Sequence, residues 1–167
     1  FNVKKNISVI IPTYNEEKNV GEIVREIKKN LNKTKYKKDY EIIVVDNNSK
    51  DNTSKIIDRL AEGKDFVAVH RYGKRGLFSA IHDGISIANG KYVLTLDADF
   101  SHPPNLIPEF FKNAGEYDII YGSRYIRGGG MNAPLMRKYG SKILNWMCIF
   151  ISGINVSDFG GQFRMFD

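Results

Sequence analysis

Asp97 and Asp99 close the run Tyr92-Val93-Leu94-Thr95-Leu96-Asp97-Ala98-Asp99. Five residues of strand character run into two carboxylates two positions apart. Successive strand side chains alternate faces, so residues i and i+2 point the same way. The two carboxylates can therefore converge at one end of a sheet. Like charges held close repel unless a cation sits with them. Hard oxygen ligands suit Mg²⁺ or Mn²⁺, and such ions usually also hold a substrate's phosphates. The spacing points to a metal-bound nucleotide phosphate. A polar strand end with two acids in a turn has the same sequence, and the pair alone does not separate the two readings.

Other side chains with chemical reach fall at comparable places. Pro12 ends an apolar run, and Tyr14 offers a flat face and a hydroxyl to a base or ribose. Glu16 can accept a ribose hydroxyl or favour the N-terminus of the helix that follows. Asp46 ends a second apolar run, where a carboxylate can accept an N–H from uracil or guanine, or cap the next helix. Arg71, Lys74 and Arg75 precede a third helical segment, whose N-terminus also favours anions. Their bland reading is surface charge. Arg137 and Ser141 are i and i+4 on one helix face, and a guanidinium suits a phosphate by paired hydrogen bonds. His102 is followed by Pro103-Pro104, which favours a structural role in a turn. His70 and His82 read as strand-end and helix-surface residues.

The elements that must position these groups are legible from periodicity. Ile7 to Pro12 reads as a buried strand, and Val20, Ile23, Val24, Ile27 and Leu31 fall at helical spacing. Glu41 to Asp46 is a nearly all-apolar second strand, as expected when both sheet faces are covered. Ile56, Ile57 and Leu60 mark a second helix, and Phe66 to Val69 a third strand. Leu77, Ala80, Ile81, Gly84, Ile85 and Ala88 form a third helix, stopped by Asn89-Gly90. Tyr92 to Leu96 is the fourth strand, Leu106 to Ala114 a helix, and Asp118 to Tyr121 a short fifth strand. This alternation predicts an α/β fold with a mostly parallel sheet. Ligands bind such sheets beyond the carboxyl ends of the strands, where Pro12, Asp46, Arg71 and Asp97 all fall. After Tyr121 the character changes. Gly128-Gly129-Gly130 marks a flexible loop, and Pro134 to Ser152 reads as a helix with a basic start and an apolar second half. That second half is either a core helix or one that lies on a membrane.

The totals narrow the class. A chain of 167 residues is enough for one domain with a real core. The domain runs over 1–167, with a nucleotide-binding half over about 1–100 and an acceptor-side half over about 101–167. It begins with Phe1 and stops inside a pattern, so a C-terminal truncation is expected. No apolar run approaches the roughly 18 residues that span a bilayer, and no signal peptide is visible. Cys148 is the single cysteine, which excludes an internal disulfide and weakly favours a reducing compartment. The net charge of +6 suits anionic partners without choosing among nucleotide, membrane and nucleic acid. Motifs of nucleic-acid binding and of serine or zinc hydrolases are not apparent.

Four segments taken in order resemble family 2 glycosyltransferases of the GT-A fold, and within them the dolichyl-phosphate mannose synthase and polyprenyl-phosphate glycosyltransferase branch. They are Ser8-Val9-Ile10-Ile11-Pro12-Thr13-Tyr14-Asn15-Glu16-Glu17, Ile43-Val44-Val45-Asp46, Asp97-Ala98-Asp99-Phe100-Ser101-His102-Pro103-Pro104 and Gly122-Ser123-Arg124-Tyr125. The resemblance implies the GT-A (nucleotide-diphospho-sugar transferase) fold and an inverting hexosyltransferase that uses Mg²⁺ or Mn²⁺. The donor would be GDP-mannose or a UDP-sugar and the acceptor dolichyl or polyprenyl phosphate, at the cytoplasmic face of a membrane. It implies metal ligation by Asp97 and Asp99. It places Pro12, Tyr14, Glu16, Asp46, Arg71, Lys74, Asp97, Ala98 and Asp99 at the nucleotide sugar. It implies that Arg124 faces the donor sugar, that Arg137 and Ser141 hold the acceptor phosphate, and that Arg164 approaches the diphosphate or acceptor. Asp97, Asp99, Arg124 and Arg137 are the implied catalytic set.

Three positions depart from the family pattern. Asn47 stands where a second Asp is common, Phe78 replaces the second glycine of a G-L-G turn, and Gln162 replaces the Gly before Phe163-Arg164. A large Phe in a close-packed turn would reshape the nucleotide pocket. A phosphate acceptor is largely ionised near neutral pH, its second pKa being about 6, and needs no base. A hydroxyl acceptor does. A rival reading, transfer to a sugar or glycolipid hydroxyl, would make Asp158 that base. A non-catalytic nucleotide-sugar-binding module is the reading of a different class.

Overall fold

A computed structural model gives the structure of the chain, and it describes residues 5–73, 76–125, 135–154 and 156–167. The side chains of Leu135, Arg137 and Lys138 are outside that description, as are Lys74, Arg75, the Gly128–Gly130 loop and Pro134. The elements run β1 (Lys5–Thr13), α1 (Val20–Leu31), β2 (Tyr40–Asp46), α2 (Thr53–Leu60), β3 (Phe66–His70), α3 (Leu77–Ile87) and β4 (Gly90–Thr95). A 3-10 turn (Pro104–Leu106) leads into α4 (Ile107–Lys112), then β5 (Ile119–Tyr121), α5 (Leu135–Ser152) and β6 (Arg164–Phe166). The strand order is β3-β2-β1-β4-β6-β5. The first four strands are mutually parallel, whereas β6 is antiparallel to both β4 and β5.

Alternation along β1 assigns the two faces. Ile7, Val9 and Ile11 join α1, α2 and α4 in the larger apolar cluster, with Ile42, Val44, Leu94 and Phe163. Ile10 points the other way and packs with Ile43, Val45 and Ala80 of α3. Both faces are covered, which is why β1 and β2 read as unbroken apolar runs.

The predicted α/β architecture is the one observed, with differences of detail. The fourth helix is shorter than the predicted Leu106–Ala114 because Pro104 and Pro108 confine its start to a 3-10 turn. Strand β6 was not predicted. It is only Arg164-Met165-Phe166, and a three-residue strand carries too little alternation to read.

The end of the sheet away from the site is tied by a polar network. Ser8 Oγ donates to Glu41 Oε1 at 2.6 Å, Asn89 N–H donates to the same oxygen at 2.6 Å, and Gly90 N–H donates to Ser8 Oγ at 2.8 Å. Asn89-Gly90 therefore ends α3 and sets the register of β4 at once. A Cβ on Gly90 would sit 2.3 Å from the Ser8 nitrogen and 2.6 Å from the Ile7 carbonyl carbon. Backbone cannot move aside as a side chain can. Gly90→Ala is expected to cost about 3 kcal/mol or more, the upper range for overpacking. Urea unfolding checks this, and a midpoint equal to the parent's would refute the clash.

Candidate active site at the carboxyl edge of the sheet

Asp97, Ala98 and Asp99 follow β4 after the single buried residue Leu96. Ala98 is buried and anchors the turn, whereas Asp97 is partly exposed and Asp99 exposed. Asp99 Oδ1 accepts the Ser101 N–H at 2.9 Å and also the Ser101 hydroxyl. Phe100 between them takes φ 59°, so the chain turns sharply after the acid pair. His102 is buried against Phe163, with ring centroids 5.6 Å apart, and its Nε2 lies 3.5 Å from Asp97 Oδ2. The histidine thus packs within the turn and also backs Asp97. Among the described residues no three His, Cys, Asp or Glu side chains come together as a metal cage. Two carboxylates at an open edge instead fit a hard cation that completes its shell with substrate phosphate and water.

The nucleotide-side candidates form a second group. Pro12 is buried in β1, opposite Val45. Tyr14 is exposed at the edge. Asn15, at φ 57°, turns the chain, and its N–H donates to Ser49 Oγ at 2.9 Å. Glu16 accepts from Asn19 Nδ2 at 2.7 Å, and its N–H donates to Thr53 Oγ1 at 2.8 Å. The first β–α loop is thus knitted to the second.

Asp46 is buried at the end of β2. Its Oδ1 accepts the N–H and the hydroxyl of Ser49 at 3.1 and 2.5 Å, and its Oδ2 accepts the Ser54 hydroxyl. His70 Nδ1 lies 3.7 Å from Asp46 Oδ2, while its Nε2 is 2.7 Å from Asp58 Oδ1. Beside these groups is a cavity of about 380 Å³, lined among others by Asp46, Ser54, Asp58, His70 and Tyr72. Asp46 thus ties the β2–α2 loop through Ser49 and the first turn of α2 through the Ser54 hydroxyl, and among the described residues it caps no N–H of α2: the Thr53 N–H donates to Asp51 Oδ1 at 3.0 Å.

Arg71 is 5% exposed. Its Nε donates to Asp83 at 2.8 Å, Nη1 to Asn47 Oδ1 at 2.6 Å and to the Gly76 carbonyl at 3.3 Å, and Nη2 to Ser79 at 2.8 Å. The guanidinium spans the turn from β3 into α3. Asn47, one of the three departures, is thereby a partner of Arg71. The expected crowding at Phe78 is corrected. Its side chain is 71% exposed on the first turn of α3. The conformational demand falls on Gly76, at φ 130°, and not on the Phe78 position.

The acceptor-side candidates lie across β6. Arg124 Nε and Nη2 each donate to Asp158 at 2.8 Å, and its backbone N–H donates to the same carboxylate at 3.1 Å. Hydrogen bonding to Asp158 is the main cause of a raised Arg124 pKa, to which the charge of Asp97 adds. Burial alone would raise the Asp158 pKa, but the hydrogen bonds and charge of Arg124 outweigh it and hold the carboxyl below the usual range. Both Asp158 oxygens are thus engaged by Arg124 in a buried setting.

Arg164 donates to the carbonyls of Gly161 and Phe159 at 2.7 and 2.5 Å, and its guanidinium lies 5.3 Å from the Tyr121 ring centroid. Ser141 Oγ is 2.6 Å from the Tyr125 hydroxyl. Gln162 is buried, and its carbonyl accepts the Thr95 hydroxyl at 2.6 Å.

Helix α5 exposes Ile143, Leu144, Trp146, Phe150 and Ile151, with Trp146 and Phe150 stacked at 5.7 Å. A core helix would bury them. No helix among the described residues is long and apolar enough to cross a membrane.

Sequence reasoning missed Ser49, Ser54, Asp58 and Asn145. A signal existed for Ser49: an Asp with a Ser three positions on is a local side-chain-to-backbone motif. The others meet only through tertiary structure.

A parallel α/β sheet with an antiparallel insertion and an acid pair beyond its fourth strand defines the class of nucleotide-diphospho-sugar transferase folds. The sequence profile described as glycosyl transferase family 2 matches residues 8–167, and the chain belongs to that family. It is 40% identical over 140 residues to the dolichol-phosphate mannosyltransferase of Pyrococcus furiosus, a match covering 81% of this chain and 38% of that protein. It is 33% identical to an undecaprenyl-phosphate 4-deoxy-4-formamido-L-arabinose transferase of Pseudomonas fluorescens, over 96% of this chain and 46% of that protein. The chain thus spans less than half the length of these two relatives. A crystal structure of glucosyl-3-phosphoglycerate synthase from Mycobacterium tuberculosis, in complex with Mn²⁺, UDP and glucosyl-3-phosphoglycerate, superposes with a TM-score of 0.71. It shares 18% identity over 98% of this chain and 57% of that one, a likeness of fold. The fold and family expected from the motifs are those found.

Proposed function

We propose that this chain carries the donor site and part of the acceptor site of an inverting, metal-dependent glycosyltransferase. It would move a hexose from GDP-mannose or a UDP-sugar to dolichyl or another polyprenyl phosphate. The observation that carries the reading is the acid pair beyond β4 together with the Arg124 loop, which is tied to the apolar helix α5 through Tyr125 and Ser141. Support also comes from the names of the two relatives, both of which specify polyprenyl-phosphate chemistry.

Asp97 and Asp99 would hold a Mg²⁺ or Mn²⁺ ion. When bound, the ion supplies Lewis-acid neutralisation of a leaving diphosphate. Tyr14, Glu16 and Asp46, with Pro12 and Ala98 shaping the edge, would bind the nucleoside. Arg71 would act by holding the β3–α3 turn, and Lys74 would sit at that turn's anionic partner. Arg124 would face the charge that develops on transfer. Arg137, Ser141 and Arg164 would receive the acceptor phosphate, which attacks without a base because it is already ionised. The aromatic and aliphatic face of α5, preceded by Arg137, Lys138 and Lys142, suits the cytoplasmic surface of an anionic membrane.

Asp46→Ala is expected to weaken binding of a uridine or guanosine diphosphate by roughly 1.5–3 kcal/mol, the value of a hydrogen bond to a charged group. Metal dependence should be spared. Calorimetric titration measures it, and parental affinity in a folded variant would remove Asp46 from the base site. The reaction itself is tested with the full-length parent protein in liposomes, a panel of nucleotide sugars, Mn²⁺ and polyprenyl phosphate. Metal-dependent formation of a lipid-linked sugar is the expected result. Transfer only to sugar or glycolipid hydroxyls would overturn the acceptor. Binding without transfer or donor hydrolysis would mark a non-catalytic module.

A further inference from the structure

The loop after β5, helix α5 and the segment before β6 are joined by side chains that are far apart in the sequence. Tyr125 reaches Ser141 of α5. Asn145, one turn further along, donates from Nδ2 to the Ser157 carbonyl at 3.0 Å and accepts the Phe159 N–H at 2.7 Å. Between those two residues is Asp158, whose side chain is fully buried. Its carboxylate accepts from Arg124 N–H, Nε and Nη2, and from the N–H groups of Gly160 and Gly161, each at 3.1 Å. The two glycines leave room for this clamp. A Cβ on Gly160 would come 3.0 Å from Arg124 Nη2, and one on Gly161 3.4 Å from Asp158 Oδ2. Nη1 of Arg124 makes no hydrogen bond to a described residue, and Asp97 is near enough to act on the guanidinium's charge.

We infer that Asp158 is a positioning residue for sugar transfer: by gripping Arg124 with both carboxylate oxygens it fixes that guanidinium in place and locks the β5 loop to the segment that Asn145 of α5 holds. Asp158 itself moves no proton. Two parallel N–H···O bonds fix a guanidinium in plane as well as in place. Displacing such a group by about 1 Å is enough to lower a transfer rate on the order of 100-fold. The inference rests on the transferase reading above and extends it to a residue that the comparisons leave unassigned.

The test uses the full-length parent protein in detergent, with nucleotide sugar, Mn²⁺ and polyprenyl phosphate. Asp158→Asn is expected to lower kcat about 100-fold while the Kd for nucleoside diphosphate with Mn²⁺ stays within about twofold. Asp158→Glu, which keeps the carboxylate, should recover part of the rate. Asp158→Asn added to Arg124→Ala should cost nothing further, because both remove one device. The acidic limb of the pH–rate profile should be the same in Asp158→Asn as in the parent. Additive losses, an unchanged kcat, or loss of that limb would overturn the inference, the last by making Asp158 a base. Arg124→Lys, which cannot chelate both oxygens, repeats the test if Asp158→Asn does not fold. The Arg124 Nε–H resonance gives a readout independent of activity. It should be protected from exchange in the parent and exposed in Asp158→Asn, and equal protection in both would refute the clamp. A parent that moves no sugar yet shows this protection would sink the reaction reading and leave the clamp standing.

Discussion

Asp99→Asn is expected to weaken metal-dependent binding of a nucleoside diphosphate by more than roughly 100-fold, with the fold intact. Outer-shell partners of a metal ligand are already worth about 10- to 100-fold in affinity, and a directly ligating oxygen should exceed them. The fold should survive because Asp99 is exposed and, among the described residues, its hydrogen bonds are to Ser101, two residues away. An amide keeps the size and one acceptor but removes the charge that offsets a cation. Titration of GDP and UDP in the presence and absence of Mn²⁺, with circular dichroism as the folding control, decides the matter. Equal Mn²⁺ dependence in parent and variant would take the ion away from this turn.

Arg137→Ala is expected to lower kcat/KM for polyprenyl phosphate by roughly 10- to 100-fold, the equivalent of about 1.5–3 kcal/mol for hydrogen bonds to a charged group. Donor affinity should change little, since an interaction made with the acceptor alone does not enter donor binding. Arg137 lies in α5 one turn before Ser141, which is fixed to Tyr125. The apolar residues exposed by α5 begin just beyond, from Ile143. A lipid phosphate presents that same sequence of a charged head and a greasy tail. The assay belongs in liposomes with the full-length parent at subsaturating acceptor. A parental rate there would place the acceptor phosphate elsewhere.

The parts of this site that could be read from the sequence are those whose partners are close in the chain. Asp97 and Asp99 stand out because the strand before them is apolar and the acids are not. Pro12 and Asp46 stand out because strand ends in a parallel sheet are where apolar runs stop. Arg71 was legible as a charge but not as a structural one. Its partner Asn47 follows β2 whereas Ser79 and Asp83 lie in α3, and no local pattern joins them. The same is true of Asp158, which is 34 residues from Arg124. A lone acid between a Ser and a Phe looks alike whether it is solvated or clamped. Phe78 shows the converse error: a family position occupied by glycine was read as crowded, when the sterically demanding position is Gly76, two residues earlier.

The antiparallel strand β6 has a consequence for the order in which the molecule can be built. Strands β1 to β4 pair among themselves, so a chain emerging from the ribosome can assemble that sheet once residue 95 is free. Among the described residues strand β5 pairs with β6 alone, which begins at Arg164. The Arg124 loop that follows β5 therefore waits for a strand made some forty residues later, a long closure that costs entropy before any pairing repays it. Vectorial synthesis thus completes the parallel strands β1 to β4 before β5 can pair. A nascent chain arrested before residue 164 should already protect β1 to β4 from proteolysis and leave β5 open to it.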